Sequence, residues 1–307
     1  MRKPTFPATL DLSLGRGAAN GLGVPNTVTR ILPKKPAATA AVNSVLKTLP
    51  TKTAPVQTSG LGLDSSKVRA TMVRKLEAQG IQDVRVLTAM NTVPRHQYVD
   101  TALANQAYED TSLPIGWGQT ISKPNVVARM MSLLFENKTA PYGRVLEIGT
   151  GCGYQAALLS QMANEVYSIE RIRGLYEKAQ ANVRPFAIAN LRLLLGDGML
   201  GYPKGAPYFG IIAAAGGDAI PQSWIDQLAV GGRIVAPVEN NRLQNKPSNG
   251  TNEQSLVVID KSATGIKRTV LELVQFVPLK SGEGGGGLGV VCALKIRYWL
   301  NKKGSHE

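Results

Sequence analysis

Three short runs of this chain hold residue types whose spacing could do chemistry. The first is Val145-Leu146-Glu147-Ile148-Gly149-Thr150-Gly151-Cys152-Gly153-Tyr154, an apolar strand-like run that passes into a loop with glycine at every second position. Side chains there would keep a ligand off the backbone at the carboxyl end of the strand, where open αβ sheets bind nucleotides. Glu170 stands 21 residues after Gly149, at the end of the next apolar run. A carboxylate at that spacing can accept bonds from both hydroxyls of a ribose. A dinucleotide loop wants a sixth-position glycine, which is Tyr154 here, and sets a pyrophosphate on the helix N-terminus. An acidic Glu147 before the loop suits a cationic ligand instead, and S-adenosylmethionine brings an ammonium and a sulfonium.

The second run is Gly196-Asp197-Gly198, directly after the apolar Leu191–Leu195. An Asp between glycines at a strand end can reach an adenine amino group, or it can make an ordinary Asp-Gly turn. The third run, Asp110 to Pro124, contains Leu113-Pro114-Ile115-Gly116-Trp117-Gly118-Gln119-Thr120-Ile121-Ser122-Lys123. Its glycines, hydroxyls and aromatic stand just before a helix start, so it either binds an anion or caps that helix. His96 reads as a structural histidine and Cys152 as a small residue filling the loop. Trp117 either lines a cleft or packs under a glycine loop.

The elements needed to position these runs are legible as an alternation. Helices are predicted over Ser66 to Gly80, Asp83 to Asn91, Pro124 to Phe135, Gly153 to Met162, Ile172 to Arg184 and Pro221 to Leu228. Strands are predicted at Arg144–Ile148, Glu165–Glu170, Leu191–Leu195, Tyr208–Ala214 and Gly232–Val238. Such alternation argues a mostly parallel sheet with helices on both faces. Two further β-rich runs, Ser255–Asp260 and Thr269–Val277, have no helix between them and predict an antiparallel pair closing the sheet.

The seven prolines within residues 1–63 leave too little apolar surface to offset chain ordering, which predicts disorder there. The expected organisation is a disordered basic extension over 1–63, one catalytic domain over 64–279, and a Gly-rich linker with a basic tail over 280–307. Asn240–Glu253 reads as a surface loop and Gly282–Gly289 as a spacer. Of the net charge of +14, +7 falls in residues 1–63 and +3 in 280–307, so the body is only mildly basic. Nucleic acid is therefore not expected as a partner. The acid-poor N-terminus would also suit a transit peptide, but a solvated tail is the simpler reading. No apolar run approaches the roughly 20 residues that span a bilayer, so no membrane partner is expected. Two cysteines, Cys152 and Cys292, fit a reducing compartment, and the expectation is a cytoplasmic monomer.

Taken in order, Leu113–Pro124 (with its PIGWGQTIS), Arg144–Ala157, Val166–Ile172 (VYSIERI), Gly196–Gly198 and Val274–Leu279 (VQFVPL) resemble the protein-L-isoaspartate O-methyltransferase family. The similarity runs from about Ser65 to Leu279. It implies a doubly wound, mostly parallel Rossmann-like methyltransferase sheet with helices on both faces and an antiparallel C-terminal strand pair. It implies methylation of the free α-carboxylate of L-isoaspartyl residues in aged proteins, with S-adenosylmethionine as cofactor and no metal. By matching positions, Ser122 would be the active-site hydroxyl, with Thr120 and Ile121 beside cofactor and substrate. Glu147, Gly149, Gly151, Glu170, Asp197 and Gly198 would contact the cofactor, and Gln254 would lie near the same cleft. The chain departs from the family at Phe209, where Asp is usual, at Ala214, where Thr is usual, and at Glu239, where Gly is usual. These positions are expected to border the substrate cleft, which leaves open a same-fold methyltransferase acting on another carboxylate or a small molecule.

The implied reaction needs little apparatus. An α-carboxylate with a pKa of about 3.3–3.7 is ionised at neutral pH, so no general base is required. A negative nucleophile meets a positive leaving group and the charges cancel, so a water-poor cleft that fixes the approach suffices.

Overall fold

A computed structural model describes residues 66–138, 142–240 and 253–284. The predicted disorder of 1–63, most of the Asn240–Glu253 loop, Cys292 and the basic tail lie outside the described residues.

The chain starts with two helices, α1 (Ser66–Ala78) and α2 (Val84–Thr92), the second capped by Asp83, whose side chain accepts from the Arg85 amide. Two short strands follow, β1 (Leu113–Gly116) and β2 (Gln119–Ile121), which pair antiparallel as a hairpin. The sequence pattern shows no strand here because each is too brief for alternation to register. Helix α3 (Pro124–Phe135) begins at its proline, as expected of a residue with no amide to satisfy. The alternating core comes next: β3 (Arg144–Ile148), α4 (Tyr154–Ser160), β4 (Glu165–Glu170), α5 (Arg173–Val183), β5 (Leu191–Leu195), β6 (Tyr208–Ala213), α6 (Gln222–Gln227), β7 (Leu228–Glu239), β8 (Gln254–Ser262) and β9 (Gly265–Val274).

These last seven strands form one sheet in the order β5-β4-β3-β6-β7-β8-β9. The first five are parallel, and β8 and β9 close the sheet antiparallel. The order reverses at β3, flanked by β4 on one side and β6 on the other. That is the switch point where such sheets open a crevice. Val145, Ile212, Val235 and Leu256 face α1 to α5, whereas Leu146, Ile148, Ile211 and Ile234 face Trp224 of α6. Helices therefore cover both faces, unequally.

Several boundaries differ from expectation, and β9 runs Gly265–Val274 rather than Thr269–Val277 because its pairing with β8 extends back to Gly265. β7 begins at Leu228 rather than Gly232, and Gly231, with φ +83°, lies in the irregular stretch where its pairing with β6 shifts register. After β9 the chain does not run free. Gly216 donates to the Val277 carbonyl and accepts from the Leu279 amide, Arg171 Nε donates to the Gly282 carbonyl, and the Gly284 amide donates to the Arg171 carbonyl. Residues 275–284 are thus a strap across the carboxyl ends of the strands. The predicted Gly282–Gly289 spacer is bonded into the fold at Gly282 and Gly284, because the Gly282 amide meets the Asp197 carboxylate and the Gly284 amide meets the backbone just beyond β4.

Candidate active-site cleft

The glycine loop is fixed by the strand beside it. Gly149 and Thr150 amides donate to the Ile169 carbonyl at 2.9 and 3.2 Å, and the Gly153 amide donates to the Thr150 carbonyl at 2.9 Å. Gly149, Gly151 and Gly153 all take positive φ, and an added Cβ on Gly153 would lie 3.1 Å from Val183. Glycine is required there both for the turn and for the close approach of α5.

Glu170 is nearly fully buried at the end of β4. One carboxylate oxygen accepts from the Gly151 amide and the other from the Ile172 amide, each at 2.9 Å. Burial raises its pKa and these two amides oppose that. A carboxylate has about four acceptor positions, so two remain for a ligand in the cleft whose wall it forms.

That cleft has a volume of about 990 Å³, at the upper end of small-molecule sites. One wall is Ile148 to Gln155 with Glu170 and Ile172, and the opposite wall is the hairpin from Ile115 to Ser122. The strap residues Val277–Lys280 close the rim. Lys178 of α5 holds the hairpin by donating to the Ile115 carbonyl at 2.9 Å. At the hairpin tip Trp117 lies over Gly174 and is 49% exposed. It lines the cleft rather than packing under the glycine loop.

Of the residues singled out by sequence, Thr120, Ile121, Ser122, Gly149, Gly151, Glu170 and Gly198 line this cleft. The Ser122 hydroxyl makes no hydrogen bond among the described residues, while its carbonyl accepts from Arg95 Nη2 at 2.8 Å. Three others sit differently. Glu147 is buried behind the loop, where Ser168 donates to its Oε2 and Thr150 bonds Ser168 at 2.6 Å. Its Oε1 has no hydrogen-bond partner among the described residues, and burial pushes its carboxyl up to about 8. It stands behind the wall because β3 points it toward α4. Asp197 caps a short turn by accepting from the Met199 amide at 2.8 Å, and it holds the strap by accepting from the Gly282 amide at 2.6 Å. It lines a neighbouring groove, on the far side of the turn. Gln254 is packed under Gly216 and accepts from the Phe276 amide at 2.9 Å, which anchors the strap from below.

The departures from the family pattern separate as well. Phe209 stacks on Phe135 and Tyr142 at the amino end of β6, far from the cleft. Glu239 ends β7, its amide donating to the Gly217 carbonyl. Only Ala214 of the three lies on the cleft wall. His96 meets the Tyr108 hydroxyl at 2.7 Å, a structural contact as expected. Cys152 is buried with its thiol pushed up to about 11, which makes it inert at neutral pH. Sequence reasoning passed over Arg95, Lys178 and Ser168. A lone cation in a helical turn and a serine in a strand carry no pattern that marks them.

The arrangement fits S-adenosylmethionine. The cleft is deep enough, a pre-oriented carboxylate stands where a ribose diol would meet it, and the glycine backbone is open. The sequence profile of the "Protein-L-isoaspartate(D-aspartate) O-methyltransferase (PCMT)" family matches residues 67–284. Among curated proteins, a protein-L-isoaspartate O-methyltransferase of Methylibium petroleiphilum is 53% identical over 91% of this chain and 96% of its own length. The protein-L-isoaspartate O-methyltransferase 2 of Cupriavidus necator is 56% identical over 68% of this chain and 69% of its own. Among solved structures, a protein-L-isoaspartate O-methyltransferase superimposes with a TM-score of 0.59 at 28% identity, covering 70% of this chain and 67% of that one. A Plasmodium falciparum relative, solved in complex with S-adenosyl-L-homocysteine, shares the fold at a TM-score of 0.57 and 24% identity, over 69% of this chain and 98% of that one.

Proposed function

The chain belongs to the protein-L-isoaspartate(D-aspartate) O-methyltransferase family, and from that premise we infer that its cleft methylates the free α-carboxylate of L-isoaspartyl residues in damaged proteins and peptides, initiating their repair. The observation that supports this most is the single cleft shared by the Ser122 hairpin, the glycine loop and Glu170.

S-adenosylmethionine, when bound, supplies an electrophilic methyl group on a sulfonium. Glu170 would hold its ribose, while Gly149, Gly151 and Gly198 leave room for close contact. Thr120 and Ile121 stand on the wall opposite the glycine loop. The Ser122 hydroxyl donates to the substrate carboxylate and orients it, and no proton need be removed. Trp117 and the strap exclude water, which strips hydration from the carboxylate before transfer. Asp197 and Gln254 serve the cofactor indirectly, through the strap they hold. Glu147 keeps the loop in place from behind.

The domain that does this spans the predicted 64–279 and extends along the strap to Gly284. We read the enzyme as a cytoplasmic monomer that does not engage nucleic acid. The supports are the two-cysteine composition and the concentration of most of the basic excess in residues 1–63 and 280–307; among the described residues, no helix is long and apolar enough to cross a membrane.

The test is a pair of peptides that differ only in having an isoaspartyl or a normal aspartyl linkage. Base-labile methyl ester, read as released methanol, should form on the isoaspartyl peptide alone. Equal labelling of both, or of neither, would overturn the assignment.

A further inference from the structure

Arg95 is completely buried, yet among the described residues its hydrogen-bond acceptors are all backbone carbonyls. Its Nε donates to the Ala107 carbonyl at 2.8 Å, and its Nη2 donates to the carbonyls of Ser122 at 2.8 Å and Thr111 at 3.5 Å. The guanidinium lies 5.0 Å from the centre of the Tyr154 ring. Nη1 bonds to nothing, and the guanidinium makes no ion pair among the described residues. Of the surrounding titratable groups, only the Asp110 carboxylate bears a charge that acts on the guanidinium, and it forms no ion pair with it. Cys152 is held as a thiol and the Tyr154 phenol is raised by burial. Asp110 is exposed and engages the Asn125 amide at 2.9 Å.

A guanidinium is always charged in a protein, and buried charges are normally paired. Carbonyls satisfy its donors without neutralising it. What it binds is also informative. Thr111 precedes β1 and Ser122 follows β2, so one side chain grips both legs of the hairpin. Tyr154, under the same guanidinium, is the first residue after the glycine loop. Arg95 therefore registers one wall of the cleft on the other, with a positive charge behind Ser122. Lysine could not do the same, because only the planar fork reaches several carbonyls at once.

We propose that Arg95 is a positioning residue for methyl transfer, and that the isoaspartyl carboxylate is its missing counter-charge, received at Ser122 across one peptide group. This rests on the reading that Ser122 meets the substrate carboxylate. The interior screens charge weakly, so the attraction reaches past the first contact. The negative charge vanishes in the transition state, so the charge of Arg95 favours binding and its fork favours rate.

Calorimetry would compare an isoaspartyl peptide with its neutral α-carboxamide analogue, in the presence of S-adenosylhomocysteine. Wild type should prefer the acid. Arg95→Gln should weaken acid binding by about tenfold or more, the scale of a contact to a charged group, and leave the amide unchanged. Arg95→Lys should keep the preference but lose about tenfold in kcat. Equal weakening of acid and amide in Arg95→Gln would reduce Arg95 to scaffold, and wild-type kcat in Arg95→Lys would remove the positioning role. Should Arg95→Gln fail to fold, the wild-type preference must still persist from about 0.05 M to about 1 M salt, since a buried charge escapes screening. Its collapse would overturn the proposal. Ser122→Ala with wild-type rate and preference would instead overturn the Ser122 reading on which this one stands.

Discussion

The two walls of the cleft are built on opposite principles. The glycine-loop wall is pre-formed: within Gly149 to Gly153, four of the five backbone amides find partners on the adjacent strand, on Glu170 or within the loop itself. The hairpin wall is two short strands with an exposed tip, held from outside by Arg95 and by Lys178, 63 residues from the carbonyl it binds. A pre-formed wall suits a ligand that never varies. A wall pinned at its base and half-exposed at its tip suits peptide substrates of many sequences.

Substitutions on the two sides should separate accordingly. The largest effect is expected from Glu170→Ala, which removes up to two charge-assisted bonds to ribose at about 1.5–3 kcal/mol each. Cofactor affinity by calorimetry should fall by roughly a hundredfold or more, and unchanged affinity would take Glu170 out of the site. Ser122→Ala comes next, slowing methyl transfer about ten- to hundredfold with cofactor affinity retained. Its pH–rate profile near neutrality should keep the wild-type shape, because the carboxylate is already ionised. A new pH dependence would mean that Ser122 does acid–base work.

A smaller effect should follow Gly174→Ala. Its Cβ would lie 2.2 Å from the Trp117 ring and must displace the hairpin tip. Peptide turnover should drop by less than in Ser122→Ala while cofactor binding holds, and a loss of cofactor binding instead would show that the walls are not separable. Glu147→Gln should leave turnover closest to wild type and show itself in stability. Burial pushes the folded carboxyl up to about 8 from an ordinary value of 4.5, so the fold retains a proton that the unfolded chain gives up. That contribution is complete below about pH 4.5 and is lost as pH rises to about 8. Its slope is at most about 1.4 kcal/mol per pH unit. Melting curves of the Gln variant should be flatter over that window, and an identical slope would refute the buried neutral acid.

The same contrast governs what could be read from the chain. Strands Arg144–Ile148, Glu165–Glu170 and Leu191–Leu195 and helix Pro124–Phe135 fall where expected, because apolar runs bounded by glycine or proline specify them locally. The glycine loop and Glu170 are legible for the same reason. For Glu147 and Asp197 the sequence shows the positions but not the bonds, since nothing local says which way a carboxylate turns or that a glycine amide 85 residues later will meet it. Phe209 looked like a change at the cleft, and only the packing on Phe135 and Tyr142 shows it to be core. Arg95 left no signal because its partners are backbone carbonyls, which every residue has.

The strap has a consequence for how the enzyme comes into being. Its contacts join residues 277–284 to Arg171, Asp197 and Gly216, across as many as 113 positions of chain. Contacts of such long separation form late, after the local helices and strand pairs. During synthesis the glycine loop, the hairpin and most of the sheet emerge well before the strap does. The cleft is therefore among the last parts of the domain to be completed, and a nascent chain acquires its ligand site only when nearly all of the domain has left the ribosome.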